Sequence, residues 1–227
     1  MLNLRMTAAK WLSQKQPEDT AYLLAQNSFH SATMAKRVYF AFHYQDVIDF
    51  RANVVRNHWL TKPHREAAGF FDASLWEEAR KKGDVALKRL INAGLEGTST
   101  TCILIGSRTY ARPWVRYEVL KSLKRGNAIL AIHINSIEGK NGLTKPLGPN
   151  PLLYVGVTIS DSGVTVTLHE VIDGKWYEYA EIDGSTSYRT DPVLQRYRGK
   201  GFHLGHFFPT YNWIADEGYQ NFSRWVG

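Results

Sequence analysis

Cysteine is almost absent from this chain of 227 residues, which has only Cys102. A lone cysteine excludes both a disulfide framework and a thiolate metal site. The chain also lacks an apolar run of membrane-spanning length, and its first residues lack the continuous apolar core of a signal peptide. We therefore expect a cytoplasmic protein with no membrane-embedded part.

The motifs that usually accompany a metal or a nucleotide cofactor are missing as well. The sequence contains no HExxH or comparable ligand spacing, no GxxxxGKS/T loop and no GxGxxG loop. These absences argue against a zinc site, a P-loop and a Rossmann dinucleotide site. We predict no bound metal and no cofactor.

Positive charge is in excess, with 28 lysine and arginine residues against 21 acidic residues and a net charge of +7. This balance permits binding to a polyanion. However, no zinc-finger spacing, aromatic-basic RNA-binding motif or long basic run accompanies it. Nucleic acid is therefore not an expected partner.

Short apolar runs at residues 38–42, 102–105 and 128–134 are typical of strands that are covered on both faces. Amphipathic spacing follows the first two runs, at residues 47–55 and 115–123, and predicts helices that pack on the sheet. This alternation predicts an α/β fold with three layers and a central parallel sheet. One such domain suits the length of the chain and its 44% hydrophobic content.

A change of period sets the later part of the chain apart. Residues 154–182 alternate with a period of two and contain an Asp-Gly pair, which is a strong hairpin signal. We expect a small antiparallel β-meander inserted late in the domain, followed by a mobile basic loop at residues 185–201. The domain is predicted to span residues 36–227, and residues 1–35 form an N-terminal extension to which we assign no chemistry.

The functional argument centres on residues 98–125, whose pattern predicts a strand, a turn and a helix. Gly106 ends the strand, and Pro113 stands where a helix begins. Trp114 and Glu118 are four residues apart and so share a face near the start of that helix. This face looks toward the carboxyl end of the strand, where open α/β sheets bind ligands.

Glu118 is the only acidic residue between Ser107 and Arg125, a stretch with six basic residues. A carboxylate among cations stays ionised at neutral pH. The surrounding positive field also attracts an anionic ligand such as a dinucleotide. A plainer interpretation is a surface glutamate that pairs with Lys121 or Arg125.

A second strand-to-helix turn, FHYQD at residues 42–46, is expected beside the first if the two strands are neighbours. Asp46 is placed to cap the helix that follows, since its carboxylate can accept from free N–H groups in the first turn. His43 fits a substrate contact and ordinary turn packing equally well.

These segments resemble a known family. The order Ser107, Tyr110, Trp114 and Glu118 is similar to the S-x-x-Y and W-x-x-x-E signature of TIR domains, whose glutamate is the NAD-cleaving carboxylate. The strings IGS, YARPWVRYEV and KSLKRGN, with FAFHYQDV upstream, resemble the TIR-like domain of the Thoeris antiphage system. The resemblance implies a TIR or flavodoxin-like fold for the domain.

By this resemblance NAD is a substrate, not a cofactor, and Glu118 is the catalytic carboxylate. One carboxylate suffices because nicotinamide leaves as a neutral molecule, unlike the leaving group in O-glycoside cleavage. The expected product is a cyclic ADP-ribose-type signal, made on phage infection and read by a separate effector protein. TIR assemblies also imply self-association. The residues expected to contact the substrate are Phe42, His43, Tyr44, Asp46, Ser107, Arg108, Trp114 and Tyr117.

Two other interpretations stay open at this point. The first is a non-enzymatic TIR-like interaction module, in which Glu118 is a surface residue. The second is binding of nucleic acid through the basic loop, which would show a steep loss of affinity with salt and no turnover.

Overall fold

The computed structural model describes residues 36–71 and 73–227, so the extension predicted for residues 1–35 lies outside the described residues. The strands are β1 Lys36–Phe42, β2 Arg65–Ala68, β3 Thr100–Ile105, β4 Ala128–His133, β5 Val155–Ile159, β6 Thr165–Ile172, β7 Lys175–Glu178, β8 Ser187–Arg189, β9 Gly201–His203 and β10 Thr210–Asn212. The helices are α1 Tyr44–Ile48, α2 Arg51–Leu60, α3 Ala73–Lys81, α4 Asp84–Leu95, α5 Pro113–Arg125 and α6 Gly218–Val226.

A parallel sheet of five strands forms the centre of the fold, in the order β10-β4-β3-β1-β2. Every residue of β3 is buried, because this strand lies in the middle of the sheet and is covered on both faces. In the register of the sheet, Phe42 at the end of β1 is the partner of Leu104 in β3. The predicted central parallel sheet is confirmed.

Apolar side chains cover both faces of this sheet. On one face, α2 and α6 contribute Trp59 and Phe222, whose rings meet edge to face with centroids 5.4 Å apart. On the other face, α4 and α5 contribute Ile91 and Val119 to a separate apolar cluster. The molecule therefore has the three layers that the alternation of strands and helices predicts.

A second sheet is antiparallel and has the order β7-β6-β5-β9, with β8 paired to β6. Strands β5, β6 and β7 correspond to the meander predicted at residues 154–182. The loop expected at residues 185–201 instead supplies β8 and the start of β9. No apolar run marks β8, which is held by backbone pairing and by a hydroxyl pair between Thr167 and Ser187 at 2.7 Å.

The second sheet packs against α5. Leu168 of β6 belongs to the same buried cluster as Val119 of α5. Arg116 of α5 donates to Glu170 of β6, with 2.9 Å between Nη1 and Oε2, and both side chains are mostly buried. Helix α5 is thus enclosed between the two sheets, which determines how its polar side chains can be oriented.

The single helix expected over residues 47–55 is divided at Phe50. This residue has a left-handed φ of 68° and separates α1 from α2. A bulky residue at positive φ is strained, which the hydrophobic spacing alone does not reveal.

Within residues 36–71 and 73–227, no helix has the length and apolar content needed to cross a bilayer. The same part of the chain contains no group of three or more His, Cys, Asp or Glu side chains arranged to hold a metal ion.

Candidate active site

The two turns that follow β1 and β3 lie side by side at the carboxyl edge of the parallel sheet, as predicted. The carboxyl group of Asp46 rests directly on Gly106, so that a Cβ atom at position 106 would fall 2.1 Å from Oδ2. Thr109 links the two turns, since its Oγ1 accepts from the N–H of Gly106 at 2.9 Å and lies 3.5 Å from Oδ2 of Asp46. Glycine is required at position 106 by this close approach.

Asp46 does not cap a helix, so that expectation is wrong. It is the third residue of α1, whose N-cap is His43 and has no side-chain capping bond. The Asp46 side chain is 2% exposed, and burial raises its pKa to about 6. The carboxyl group is therefore part of the contact between the two turns.

Glu118 is buried, and this corrects the expectation of a solvated, ionised carboxylate. Only 5% of the residue is exposed. The hydroxyl of Tyr39 donates to Oε1 at 2.7 Å, and no described residue donates to Oε2. Burial raises the pKa of Glu118 to about 8, while the bond from Tyr39 acts in the opposite direction. At neutral pH the carboxyl group is mostly protonated.

The basic residues near Glu118 in sequence do not keep it ionised, because two of them point elsewhere. Arg116 pairs with Glu170, and Lys121 lies 3.4 Å from Asp183 in the segment after β7. Glu118 itself lies on the same buried stripe of α5 as Val115 and Ser122, three residues before it and four after it. Counting charges along the sequence missed this inward orientation.

The Glu118 carboxyl group and the turn after β1 are on the same side of the molecule. Tyr39, which holds this carboxyl group, comes three residues before Phe42 on β1. Three residues of extended strand span roughly 10 Å. The structure therefore brings Glu118 near the FHYQD turn, although below the edge of the sheet.

A chain of hydroxyl groups fixes the rotation of α5 on the sheet. Thr101 of β3 donates to Oγ of Ser122 at 2.8 Å, and that hydroxyl donates to the backbone carbonyl of Glu118 at 2.6 Å. Asn127 donates to Oγ1 of Thr101 at 3.3 Å. Because these groups are buried, a rotation of α5 would leave them without partners.

Cations gather around the two turns at the carboxyl edge of the sheet, a region that we call the mouth of the site. His43 is half-buried, and its pKa falls to about 4 because of burial and the positive charges of Arg112, Lys145 and Arg108, in that order. His43 is thus neutral at physiological pH, and the field at this edge favours an anion. Lys145, from the connection between β4 and β5, was not foreseen from the sequence.

That connection is held over the sheet edge by Arg51, which is 1% exposed. The guanidinium group donates to the carbonyl of Ile137 at 2.9 Å and to that of Leu143 at 2.5 Å. It also lies 3.3 Å from Asp49, which pairs with Lys145 as well. We refer to these three charged residues, Asp49, Arg51 and Lys145, as the loop clamp. No sequence signal indicated them.

The remaining predicted contact residues differ in their access to solvent. Ser107 is half-buried beside Gly106, whereas Arg108 and Tyr44 are exposed at the edge of the sheet. Phe42 is half-buried, and its ring centroid lies 4.4 Å from that of Phe70.

Trp114 and Tyr117 occupy neighbouring positions on α5, with ring centroids 6.0 Å apart. Trp114 is half-buried, but Tyr117 is fully buried. The Tyr117 hydroxyl lies 2.7 Å from Asp183 and 3.1 Å from Asn92. Tyr117 therefore joins α5 to α4 and to the segment after β7.

A parallel sheet in this flavodoxin-like strand order, with a glutamate on the helix after β3 and a facing turn after β1, is consistent with a TIR-like domain. Residues 39–138 match the family model described as Thoeris protein ThsB, TIR-like domain. The chain is also 54% identical, over 194 residues, to a Bacillus cereus (strain MSX-D12) protein provisionally named cyclic ADP-D-ribose synthase ThsB1. This match covers 85% of the chain and 100% of the relative. The chain belongs to the Thoeris ThsB family, as its motifs indicate.

Proposed function

We propose that this protein cleaves NAD, releases nicotinamide and makes a cyclic ADP-ribose-type product in antiphage defence. The observation that carries the proposal is the 54% identity over the whole length of a relative provisionally named as a cyclic ADP-D-ribose synthase. The buried glutamate at the position of the TIR signature supports it, because carboxyl groups with strongly perturbed pKa values are frequent at catalytic sites.

The reaction breaks the bond between C1 of the ribose and the pyridinium nitrogen. The bonding electron pair stays with that nitrogen, so nicotinamide leaves uncharged and no general acid is needed. The ribose carbon develops positive charge, which a carboxylate placed beside it stabilises. Attack on that carbon by an adenine nitrogen of the same molecule closes the cyclic product, whereas attack by water gives ADP-ribose.

Glu118 supplies the carboxylate in this proposal. With a pKa of about 8 it is mostly protonated before the substrate binds. The positive pyridinium ring favours the ionised form when it arrives, since an opposite charge nearby lowers the pKa of a carboxyl group. Binding of the positively charged pyridinium ring beside Glu118 and ionisation of Glu118 are therefore coupled.

The cations at the mouth suit the diphosphate of the same substrate. Arg108 is exposed there, and Arg112 and Lys145 act on His43 from the same region. Arginine forms paired hydrogen bonds to phosphate oxygens. Trp114 and Phe42 offer half-buried aromatic surfaces for the ribose or the nicotinamide ring.

Partners beyond NAD belong to the same proposal. A small cyclic nucleotide diffuses, so it suits a signal that a separate effector protein reads in the cytoplasm. Self-association would complete a site whose mouth lies at the molecular surface, and dilution should then reduce the activity per mole of protein.

The test is incubation of the full chain with NAD, with and without lysate of phage-infected cells. Wild type, Glu118→Gln and a control, Glu77→Gln, are compared; Glu77 is an exposed helical residue that pairs with Arg80. We expect nicotinamide release and a cyclic product from wild type and control, and a loss of at least about 100-fold in Glu118→Gln. Equal release by all three proteins would remove Glu118 from the mechanism, and no release by wild type under either condition would favour an interaction module.

A further inference from the structure

The hydroxyl of the buried residue Tyr39 has one polar partner among the described residues, the carboxyl group of Glu118. The residue is completely buried in β1, and its Oη donates to Oε1 of Glu118 at 2.7 Å. Gly94 of α4 makes room for its ring, since a Cβ atom there would lie 3.0 Å from Cε2 of Tyr39. The ring therefore has a fixed place, and the direction of the hydroxyl is set by the fold.

The surroundings of this pair are apolar. Tyr39 belongs to the buried cluster that includes Ile91, Ile103 and Val119. A hydroxyl and a carboxyl group in such a cluster cost stability unless they are bonded to each other. Apolar residues of similar size would fill the same space without the desolvation cost, and replacing a buried polar pair in this way is often neutral or stabilising. The pair thus needs an explanation other than stability.

We propose that Tyr39 is the positioning residue for Glu118 in the cleavage reaction, holding Oε1 so that Oε2 is the oxygen presented to the substrate. This inference rests on the proposed function. A phenol has one hydrogen to donate, and it is used on Oε1. When the carboxyl group is protonated, its proton resides on Oε2, and when it ionises, Oε2 becomes the oxygen with no hydrogen-bond donor among the described residues.

The bond also affects protonation. A donor to a carboxylate stabilises the ionised form, and the Tyr39 bond opposes the effect of burial on the pKa of Glu118. Removing the hydroxyl should therefore raise the pKa of Glu118. A hydrogen bond to a charged group corresponds to a shift of about one to two pH units.

The test compares the pH dependence of kcat and KM for wild type, Tyr39→Phe and the control Tyr188→Phe. Tyr188 is a half-buried tyrosine of β8 that also packs on this cluster and has no bond to Glu118. For Tyr39→Phe we expect the acid limb of kcat to move up by about one to two pH units, with kcat lowered and KM little changed. A lowered rate with an unchanged pH profile would overturn the proposal, because a purely structural role predicts that result.

A second variant moves the profile in the opposite direction. Placing 3-fluorotyrosine at position 39 keeps the ring in the core and makes the hydroxyl a stronger donor. The acid limb should then move to lower pH. An upward shift, or none, would contradict a hydrogen bond that favours the ionised carboxyl group.

An infrared titration of the Glu118 carboxyl band, assigned by its loss in Glu118→Gln, separates this inference from the proposed function. If wild type does not cleave NAD, the proposed function fails and Tyr39 has no reaction to support. The titration still measures how the Tyr39 hydroxyl affects the pKa of Glu118. An upward shift of the band titration in Tyr39→Phe supports the coupling to Glu118, and an identical titration in both proteins overturns it.

Discussion

Replacing Glu118 with glutamine is expected to stabilise the protein above neutral pH, even though it should abolish the proposed activity. Glutamine has nearly the same shape and can still accept a hydrogen bond from Tyr39 through its carbonyl oxygen. It carries no charge at any pH. The substitution therefore removes the ionisation of this buried position and leaves its packing in place.

The size of the effect follows from the two pKa values. In the unfolded chain the carboxyl group has its ordinary pKa of 4.5, and in the folded protein the pKa is about 8. Between these values the unfolded chain releases the proton and the folded protein keeps it, so the free energy of unfolding falls as pH rises and levels off above the folded pKa. Between about pH 5 and about pH 8, Glu118 should lower the stability of wild type by roughly 3 kcal/mol relative to Glu118→Gln.

Urea denaturation of both proteins at these two pH values measures this difference. Other titrating groups, including Asp46 with its raised pKa of about 6, affect both proteins equally and cancel in the comparison. The two proteins should be similar at the lower pH, and the variant should be clearly more stable at the higher one. A gap that is the same at both pH values would refute a buried carboxyl group with a raised pKa.

Three further substitutions test contacts around the site by the same denaturation assay. Gly106→Ala would press a methyl group into the Asp46 carboxyl group and should cost about 2 kcal/mol; an unchanged midpoint would mean that the two turns are not in contact. Arg51→Met removes the central cation of the loop clamp and should cost about 3 kcal/mol. It should also expose the connection after β4 to limited proteolysis, and resistance equal to wild type would contradict the clamp. Ser122→Ala deprives Thr101 of its acceptor and should cost about 1 to 2 kcal/mol, whereas a neutral result would show that this hydroxyl chain does not hold α5.

The layered fold could be predicted because its signals are local. The short apolar runs that form β1, β3 and β4 favour strands covered on both faces, and the helical spacing after the first two of them indicates which helix face packs on the sheet. Gly106 and Pro113 mark the ends of the turn before α5. The resemblance to TIR motifs followed from residues within the same short stretches.

The environment of the candidate site could not be predicted in the same way, because it depends on contacts between distant segments. Tyr39 and Glu118 are 79 positions apart, and Arg51 and Leu143 are 92 positions apart. No motif in the sequence indicates that the two residues of either pair are in contact, because only the folded sheet brings them together. For the same reason, the number of cations near Glu118 in the sequence wrongly predicted an ionised carboxylate. The charges along a helix do not reveal which of its side chains turn inward.

The protonated state of Glu118 gives the proposed chemistry a simple order. A carboxyl group that is neutral at rest avoids the cost of a buried, unpaired charge. It ionises favourably only when a positive group arrives beside it, and the pyridinium ring of NAD is such a group. Once the glycosidic bond breaks, nicotinamide is uncharged and the positive charge moves to the ribose carbon, so the carboxylate keeps a partner throughout the step in which it is needed. Cyclisation or hydrolysis then removes the positive charge at that carbon and releases one proton from the attacking adenine or water. The buried carboxylate can take up this proton, and it is again more stable in the neutral form.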